Sequence, residues 1–208
     1  MPRRIDHDDR RRRIADAVCL LADERGLEGV TLRDVAARAG VSMGAVQRCF
    51  RTKEEMLVFA LAHVGERITD RVRARLAASP AQSARTALGH TLTEVSLLAG
   101  EHRAEARVWL AFVAQAAVTP ALATVVRGAY DELRALLARL IAEAADPPCP
   151  HPGREADALL ALADGLTTHV LIGRLSPGAA LEILDERLAR LWEPGRPDAR
   201  HPATRPTA

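Results

Sequence analysis

The sequence predicts an all-α protein of about nine helices, a small N-terminal three-helix head joined to a larger helical-bundle body. Three observations carry this. Hydrophobic residues make up 48% of the chain but aromatics only 3%, so the core must be built mainly from Ala, Leu and Val, and sparse β-branched and aromatic residues favour helices over strands. Apolar residues recur every three to four positions, the one-sided stripe of an amphipathic helix. Between the stripes stand helix start and stop signals, with no alternating strand pattern.

The elements follow in order. Residues 9–25 carry Ile14, Val18 and Leu21 on one face, and Gly26 is placed to close that helix. Thr31 opens a second helix, with Asp34 as an acidic variant of the capping box; Leu32, Val35, Ala36 and Ala39 are its buried face. Gly40 breaks it, and Ser42 caps a third helix, Met43–Cys49. Thr52 and Glu55 form another capping box, opening a long helix of roughly residues 53–76 with the stripe Leu57, Leu61, Val64, Ile68, Val72 and Leu76. Ser79-Pro80 ends it. Helices are then expected over 82–98, 102–117 and 119–144, the last opened by Thr119 as N-cap and Pro120 at the first helical position. Residues 146–154, rich in proline, read as a non-helical linker. Helices 155–174 and 177–192 follow, the second capped by Ser176. From residue 193 the Pro, Gly and Arg content reads as a frayed tail. The expected domains are therefore 1–52, 53–192 and a disordered tail, 193–208.

Several function classes are disfavoured. No window approaches the roughly 18 apolar residues of a membrane-spanning helix, and the basic N-terminus leads into an amphipathic segment rather than a signal peptide. Cys19, Cys49 and Cys149 are scattered and odd in number, as expected of reduced thiols in a cytoplasmic protein. The histidines lack ligand-type spacing, and no Gly-rich phosphate loop, serine elbow or paired-carboxylate motif occurs; neither enzyme activity, metal nor cofactor is expected. The net charge of +2 says little alone. Arg3–Arg4 and Arg10–Arg13 cluster near the start, a basic arm that either tracks phosphates or is simply a solvated helix end.

The informative stretch is Thr31–Phe50. Ala36 is small where a second helix would cross, Gly40 suits the left-handed residue of a tight inter-helix turn, and Val41, Val46 and Phe50 are apolar where the two helices pack. Together these describe a helix-turn-helix, with Met43–Cys49 as the element that enters the major groove. Ser42, Met43, Ala45, Gln47 and Arg48 are then the outward positions. Lys53 and the amides of the helix it opens make a phosphate site.

In these residues the chain resembles the TetR family of bacterial regulators. Thr31, Val35-Ala36, Ala39-Gly40-Val41-Ser42, Gly44, Phe50, Lys53-Glu54 and Leu57 follow the family pattern in order and spacing, across about residues 9–57. Gln47 and Cys49 stand where the pattern has Tyr and His, which leaves docking intact and changes base preference. The resemblance implies a double-stranded DNA operator as partner. Thr31, Ser42, Gly44 and Lys53 become expected backbone contacts, with Arg33 beside them, and Met43, Ala45, Gln47 and Arg48 expected base readers. Cys49 reads as a packing residue.

For the body, the resemblance implies a homodimer that binds an unknown small-molecule effector. Ala161, Gly165, His169 and Gly173 recur every four residues, a row that lets a helix approach closely, within one subunit or between two. With Leu181, Leu184 and Leu188 of the last helix they are the expected dimer interface. The stretch Val108-Trp109-Leu-Ala-Phe112, Thr119-Pro120 and Tyr130 resembles the betaine-regulator-like branch of the family. Trp109 and Phe112 share a helical face and either form plain core or line a pocket with Thr91, Val95 and Leu166. Aromatics are too few for a convincing quaternary-ammonium cage. The function expected is a repressor released from a palindromic operator by an effector; the alternative is an effector-independent DNA-binding protein that works through a protein partner.

Overall fold

The computed structural model describes residues 2–79, 83–145 and 148–192, with side chains from His7 onward. The Pro80 stop, Asp146-Pro147 of the linker, the Arg3–Arg4 side chains and the tail from residue 193 lie outside the described residues. Nine α-helices and one 3-10 turn, Gly100–His102, make up the described architecture, and no strand occurs in it. None of the described helices is long and apolar enough to cross a membrane.

The head is α1 (Pro2–Arg25), α2 (Leu32–Ala39) and α3 (Met43–Cys49). Helix α1 begins earlier than its apolar stripe, because a helix needs its stripe only where it packs. Gly26 closes it in the left-handed conformation at φ 73°, its N–H reaching Ala22 O at 2.9 Å. Helix α4 (Lys53–Ala77) leaves the head and enters the body. Its 25 residues span roughly 37 Å at 1.5 Å per residue. Met56, Leu57, Ala60, Leu61, Val64, Ile68 and Val72 form its buried stripe.

The body adds α5 (Ala84–Val95), α6 (Arg103–Ala116), α7 (Pro120–Ala144), α8 (Pro152–Leu171) and α9 (Pro177–Arg190). Four expectations are corrected. Helix α5 ends short of residue 98 because Leu97 takes φ 52°, a left-handed conformation costly for a bulky side chain. The Thr167 hydroxyl holds that corner by donating to Ser96 O. Helix α8 starts within the presumed linker: Pro152 takes its first turn, where a missing N–H and preset φ cost nothing. It ends at Leu171 rather than 174, because Gly173 turns the chain at φ 76°. Thr119 precedes α7 as expected, yet its hydroxyl accepts from Gln115 Nε2 at 2.9 Å instead of capping.

Apolar packing forms two clusters. One joins α1–α3 to the first part of α4, to α6 and to the start of α7. The other gathers α5, the end of α7, α8 and α9. Val95 and Tyr130 touch both, and the space between the clusters becomes important below.

Candidate nucleic-acid interface and body cavity

The turn between α2 and α3 is fixed by backbone chemistry. Gly40 sits at φ 65°, ψ 36°, its N–H bonded to Ala37 O at 3.2 Å while Val41 N–H reaches Ala36 O at 3.0 Å. That pair of bonds is the Schellman closure, which favours glycine at the left-handed position. Ser42 then caps α3, accepting from Ala45 N–H at 3.2 Å. Thr31 does the same for α2, accepting from Asp34 N–H at 3.1 Å while its hydroxyl donates to the Asp34 carboxylate at 2.9 Å.

Along this frame Thr31, Arg33, Ser42, Met43, Gln47 and Arg48 are all exposed. Gly44 is half-buried, and the Arg48 guanidinium lies back over it, within 3.6 Å of where a Cβ would stand. Ala45 differs from expectation: it is only 7% exposed. It shares the inner face of α3 with Val46 and Cys49, so its methyl serves packing and cannot read a base edge. Cys49 is buried at 5% exposure, as a packing residue should be.

At the start of α4, Thr52 accepts from Glu55 N–H at 3.0 Å and the Glu55 carboxylate accepts from Arg51 N–H at 2.8 Å. The box therefore reaches one residue further back than its usual form. The first amides of α4 and the half-buried Lys53 remain at the helix end beside α3, where a phosphate would meet both charge and dipole.

Part of the expected basic arm is structural. The Arg11 guanidinium lies 4.7 Å from the Phe50 ring centre and 4.4 Å from that of Phe59, pinning α1 to the start of α4. Arg13 donates to Ala39 O at 3.0 Å, closing the end of α2. Arg38 and Glu24 pair through two bonds of 2.7 and 2.8 Å, and the Arg38 guanidinium holds the Glu24 carboxyl below its usual value. Head and body are joined by Arg107 and Asp23, 2.5 and 3.0 Å apart at their two contacts, and by His63 and Asp16 at 3.0 Å. Burial pushes the Cys19 thiol up to about 12, so it stays protonated and unreactive.

Deeper in the body, Glu105 of α6 is only 8% exposed and meets two arginines of α4, Arg71 at 2.5 Å and Arg67 at 3.2 Å. The body also holds a half-enclosed cavity of about 1120 Å³, walled by α4 and α7 and reaching the two aromatics Trp109 and Tyr130. Of the expected pocket residues, Val95 and Trp109 border it and Thr91, Phe112 and Leu166 do not. Thr91 and Phe112 are fully buried and Leu166 is 4% exposed; the Thr91 hydroxyl is satisfied by Ala87 O at 2.8 Å. Sequence reasoning missed Asp164 and noted Tyr130 only for the family resemblance, not as a pocket residue; both border the cavity, with a hydrogen bond from the Tyr130 hydroxyl to the Asp164 carboxylate. Burial raises the pKa of both groups. A signal for them existed: Asp164 interrupts the apolar run Leu159–Leu166, and glycines at 65 and 128, each facing open space, stand where helix propensity would resist them.

The expected interface residues part company. Gly165 is exposed on α8, and Gly173 is exposed but lies in the turn beyond it. His169, Leu181 and Leu188 are half-buried, the His169 ring bonded to Arg174 at 2.7 Å. Leu184 is 1% exposed and packs inside the subunit, so it has no face left for a partner. Ala161 and Gly165 of the expected row share one exposed stripe with Thr168 and Ile172, which were not expected, Ile172 being 69% and Ile183 of α9 39% exposed.

An all-helical chain whose head displays a capped helix-turn-helix with an exposed outer face is a DNA-binding transcription regulator. Residues 14–58 match the profile of bacterial regulatory proteins of the tetR family, and residues 84–193 that of the C-terminal region of BetI-type transcriptional repressors. The chain is 34% identical over 173 residues, 83% of each chain, to the HTH-type transcriptional regulator PksA of Bacillus subtilis. It is 32% identical over 203 residues to the HTH-type transcriptional regulator BetI of Burkholderia thailandensis, covering 93% of this chain and 99% of that one. Among solved structures, a Rhodococcus sp. RHA1 transcriptional regulator superposes with TM-score 0.78 at 31% identity, over 87% of this chain and 95% of that one. A Saccharomonospora viridis regulator crystallised with choline gives 0.78 at 27% identity, over 88% and 96%. The multidrug binding protein EbrR, complexed with malachite green, gives 0.66 at 29% identity, over 88% and 97%. The chain belongs to the TetR family of transcriptional regulators, with a BetI-type C-terminal region.

Proposed function

We propose that the protein is a homodimeric repressor that leaves a pseudo-palindromic operator when a small molecule fills the body cavity. The observation that carries this reading is the course of α4. It begins at Lys53 beside the recognition helix α3, and from Leu61 to Leu76 it is a wall of the cavity. A ligand that moves this wall moves the head, because Arg11, Phe50 and Phe59 fasten the start of α4 to α1. Ligands held by two proteins of similar fold, choline in one and malachite green in the other, support a ligand role for this cavity. An effector-independent regulator would have no use for such a space; a sealed body would have favoured that reading.

On this reading Met43, Gln47 and Arg48 face the groove, with Thr31, Arg33, Ser42, Gly44 and Lys53 at the backbone. The exposed stripe Gly165, Thr168 and Ile172 with Ile183 pairs two subunits, with His169, Leu181 and Leu188 at its margin. Two recognition helices then sit ~34–36 Å apart, one turn of DNA. The test is selection of bound sequences from random DNA, followed by anisotropy of a labelled operator with and without candidate ligands. Two-fold symmetric sites, released by at least one ligand that binds the free protein, are expected. Binding to sites without symmetry, or ligand binding that leaves operator affinity unchanged, refutes the corresponding half of the reading.

A further inference from the structure

The chemistry of the cavity points to a class of ligand, an inference that rests on the reading of the cavity as an effector site. Three arginines border it, Arg12, Arg73 and Arg139, against four carboxylates, Glu66, Asp70, Glu132 and Asp164. Arg73 and Asp70 pair at 3.2 Å and are about three-quarters exposed, so water and salt screen them. Asp164 is different. It is half-buried, and among the described residues no Lys, Arg or His forms an ion pair with it. Its support is neutral: the Tyr130 hydroxyl donates to it, and the Trp109 indole also favours its ionised form. A desolvated carboxylate without a counter-ion is costly, and a positive ligand offsets that cost.

Size and aromatic supply narrow the class further. Of six aromatic residues, Phe50 and Phe59 pack on each other, Phe112 is fully buried, and Trp192 lies 4.7 Å beneath the Arg85 guanidinium. Only Trp109 and Tyr130 face the cavity, edge to face with centres 5.9 Å apart. Two rings cannot enclose a compact quaternary ammonium, which needs an aromatic cage. The cavity volume of about 1120 Å³ also lies above the roughly 300–1,000 Å³ of ordinary small-ligand pockets, room enough for a bulky molecule. We propose that the cavity takes a bulky, lipophilic organic cation, its charge seated at Asp164 beside Tyr130 and Trp109 and its apolar body along Ile68, Val72, Leu133 and Leu136.

The test uses two ions of nearly the same shape and opposite charge, tetraphenylphosphonium and tetraphenylborate, with choline as the small cation. Each is titrated into the full-length protein by calorimetry. The phosphonium is expected to bind at least about tenfold tighter than the borate and than choline, tenfold being about 1.4 kcal/mol. Asp164→Asn should cut the phosphonium-over-borate ratio to about threefold or less. Tyr130→Phe, which keeps the carboxylate, should preserve it; a merely structural role for the pair would make both variants fail alike. The wild-type ratio decides the sign even where Asp164→Asn does not fold. Equal or tighter binding of the borate, an unchanged ratio in Asp164→Asn, or choline matching the phosphonium overturns the proposal. Operator anisotropy separates this from the release reading. A phosphonium that binds without freeing DNA upholds the cation site and removes release; a neutral or anionic cavity ligand that frees DNA keeps release and overturns the cation site.

Discussion

Replacing Glu105 by Gln should loosen the hold of the body on α4, and its size can be worked from geometry. The Glu105 carboxylate is 8% exposed and faces Arg71 at 2.5 Å and Arg67 at 3.2 Å; those arginines are 26% and 49% exposed. Two unit charges about 4 Å apart in an effective dielectric near 20 attract by about 4 kcal/mol. The half-exposed Arg67 contributes only a fraction of that, because solvent screens it. Glutamine keeps the shape but removes the charge, leaving the partly buried Arg71 with only the more distant Glu94 carboxylate, 3.7 Å away, while relieving the desolvation of the Glu105 carboxylate itself. The net loss should be about 2–3 kcal/mol, which for a chain of this length lowers the melting temperature by roughly 4–12 °C. Thermal melts and urea titrations of Glu105→Gln, Arg71→Met and the double variant measure it. A coupling energy of about 1 kcal/mol or more is expected from the cycle. Melting within about 1 °C of the parent, or additivity within about 0.3 kcal/mol, would refute the reasoning.

Four further outcomes follow. Lys53→Ala should weaken binding to every operator variant by a similar factor and flatten the log K against log salt slope by about 0.9, read by anisotropy at several salt concentrations. Gln47→Ala should instead change preference at one base pair per half-site by about 1–3 kcal/mol, measured by competition among variant operators. Gly40→Ala meets no clash, since its Cβ would lie 3.8 Å from the Arg13 guanidinium; the cost is the left-handed backbone, about 1–2 kcal/mol, visible as a lower denaturant midpoint. Ile172→Asp, at a position 69% exposed, should leave the subunit's melting nearly unchanged in dilute solution yet shift sedimentation from dimer to monomer.

The head was legible because its signals are local. Thr31, Ser42 and Thr52 each cap a helix with a bond to an amide three residues on, and Gly40 takes the one conformation its turn requires. Such features depend on a few consecutive residues, so spacing alone reveals them. Thr119 shows where that stops: Gln115 takes its hydroxyl, a competition that spacing does not display. Ala45 lies on the inner face against expectation for a related reason. On a helix of seven residues the boundary between inner and outer faces falls within a single turn. Whether α1 packs close enough to cover a small side chain there is a tertiary fact.

The body was legible as helices but poorly as a site, because a cavity is defined by what distant elements fail to fill. Trp109 borders the cavity, yet Phe112, three residues on, turns into sealed core, and the pattern of α4 displays its buried stripe and its phosphate-facing start but not its cavity side. The same helix carries Gly65, Thr69 and Arg73 on the cavity side. That double use bears on the proposed release mechanism. A helix whose whole circumference was buried in apolar core would be held too firmly for a ligand to shift, whereas one held on one face only would transmit little to the head. In α4 the apolar stripe packs into the core, and Arg67 and Arg71 meet the Glu105 carboxylate of α6. Well-packed apolar side chains would supply comparable stability there. What the ion pairs add is an attraction between α4 and α6 at this one level of the body. On the proposed release mechanism, a ligand pressing on Ile68, Val72 and Leu76 from the cavity works against both that apolar packing and the charged contacts to Glu105.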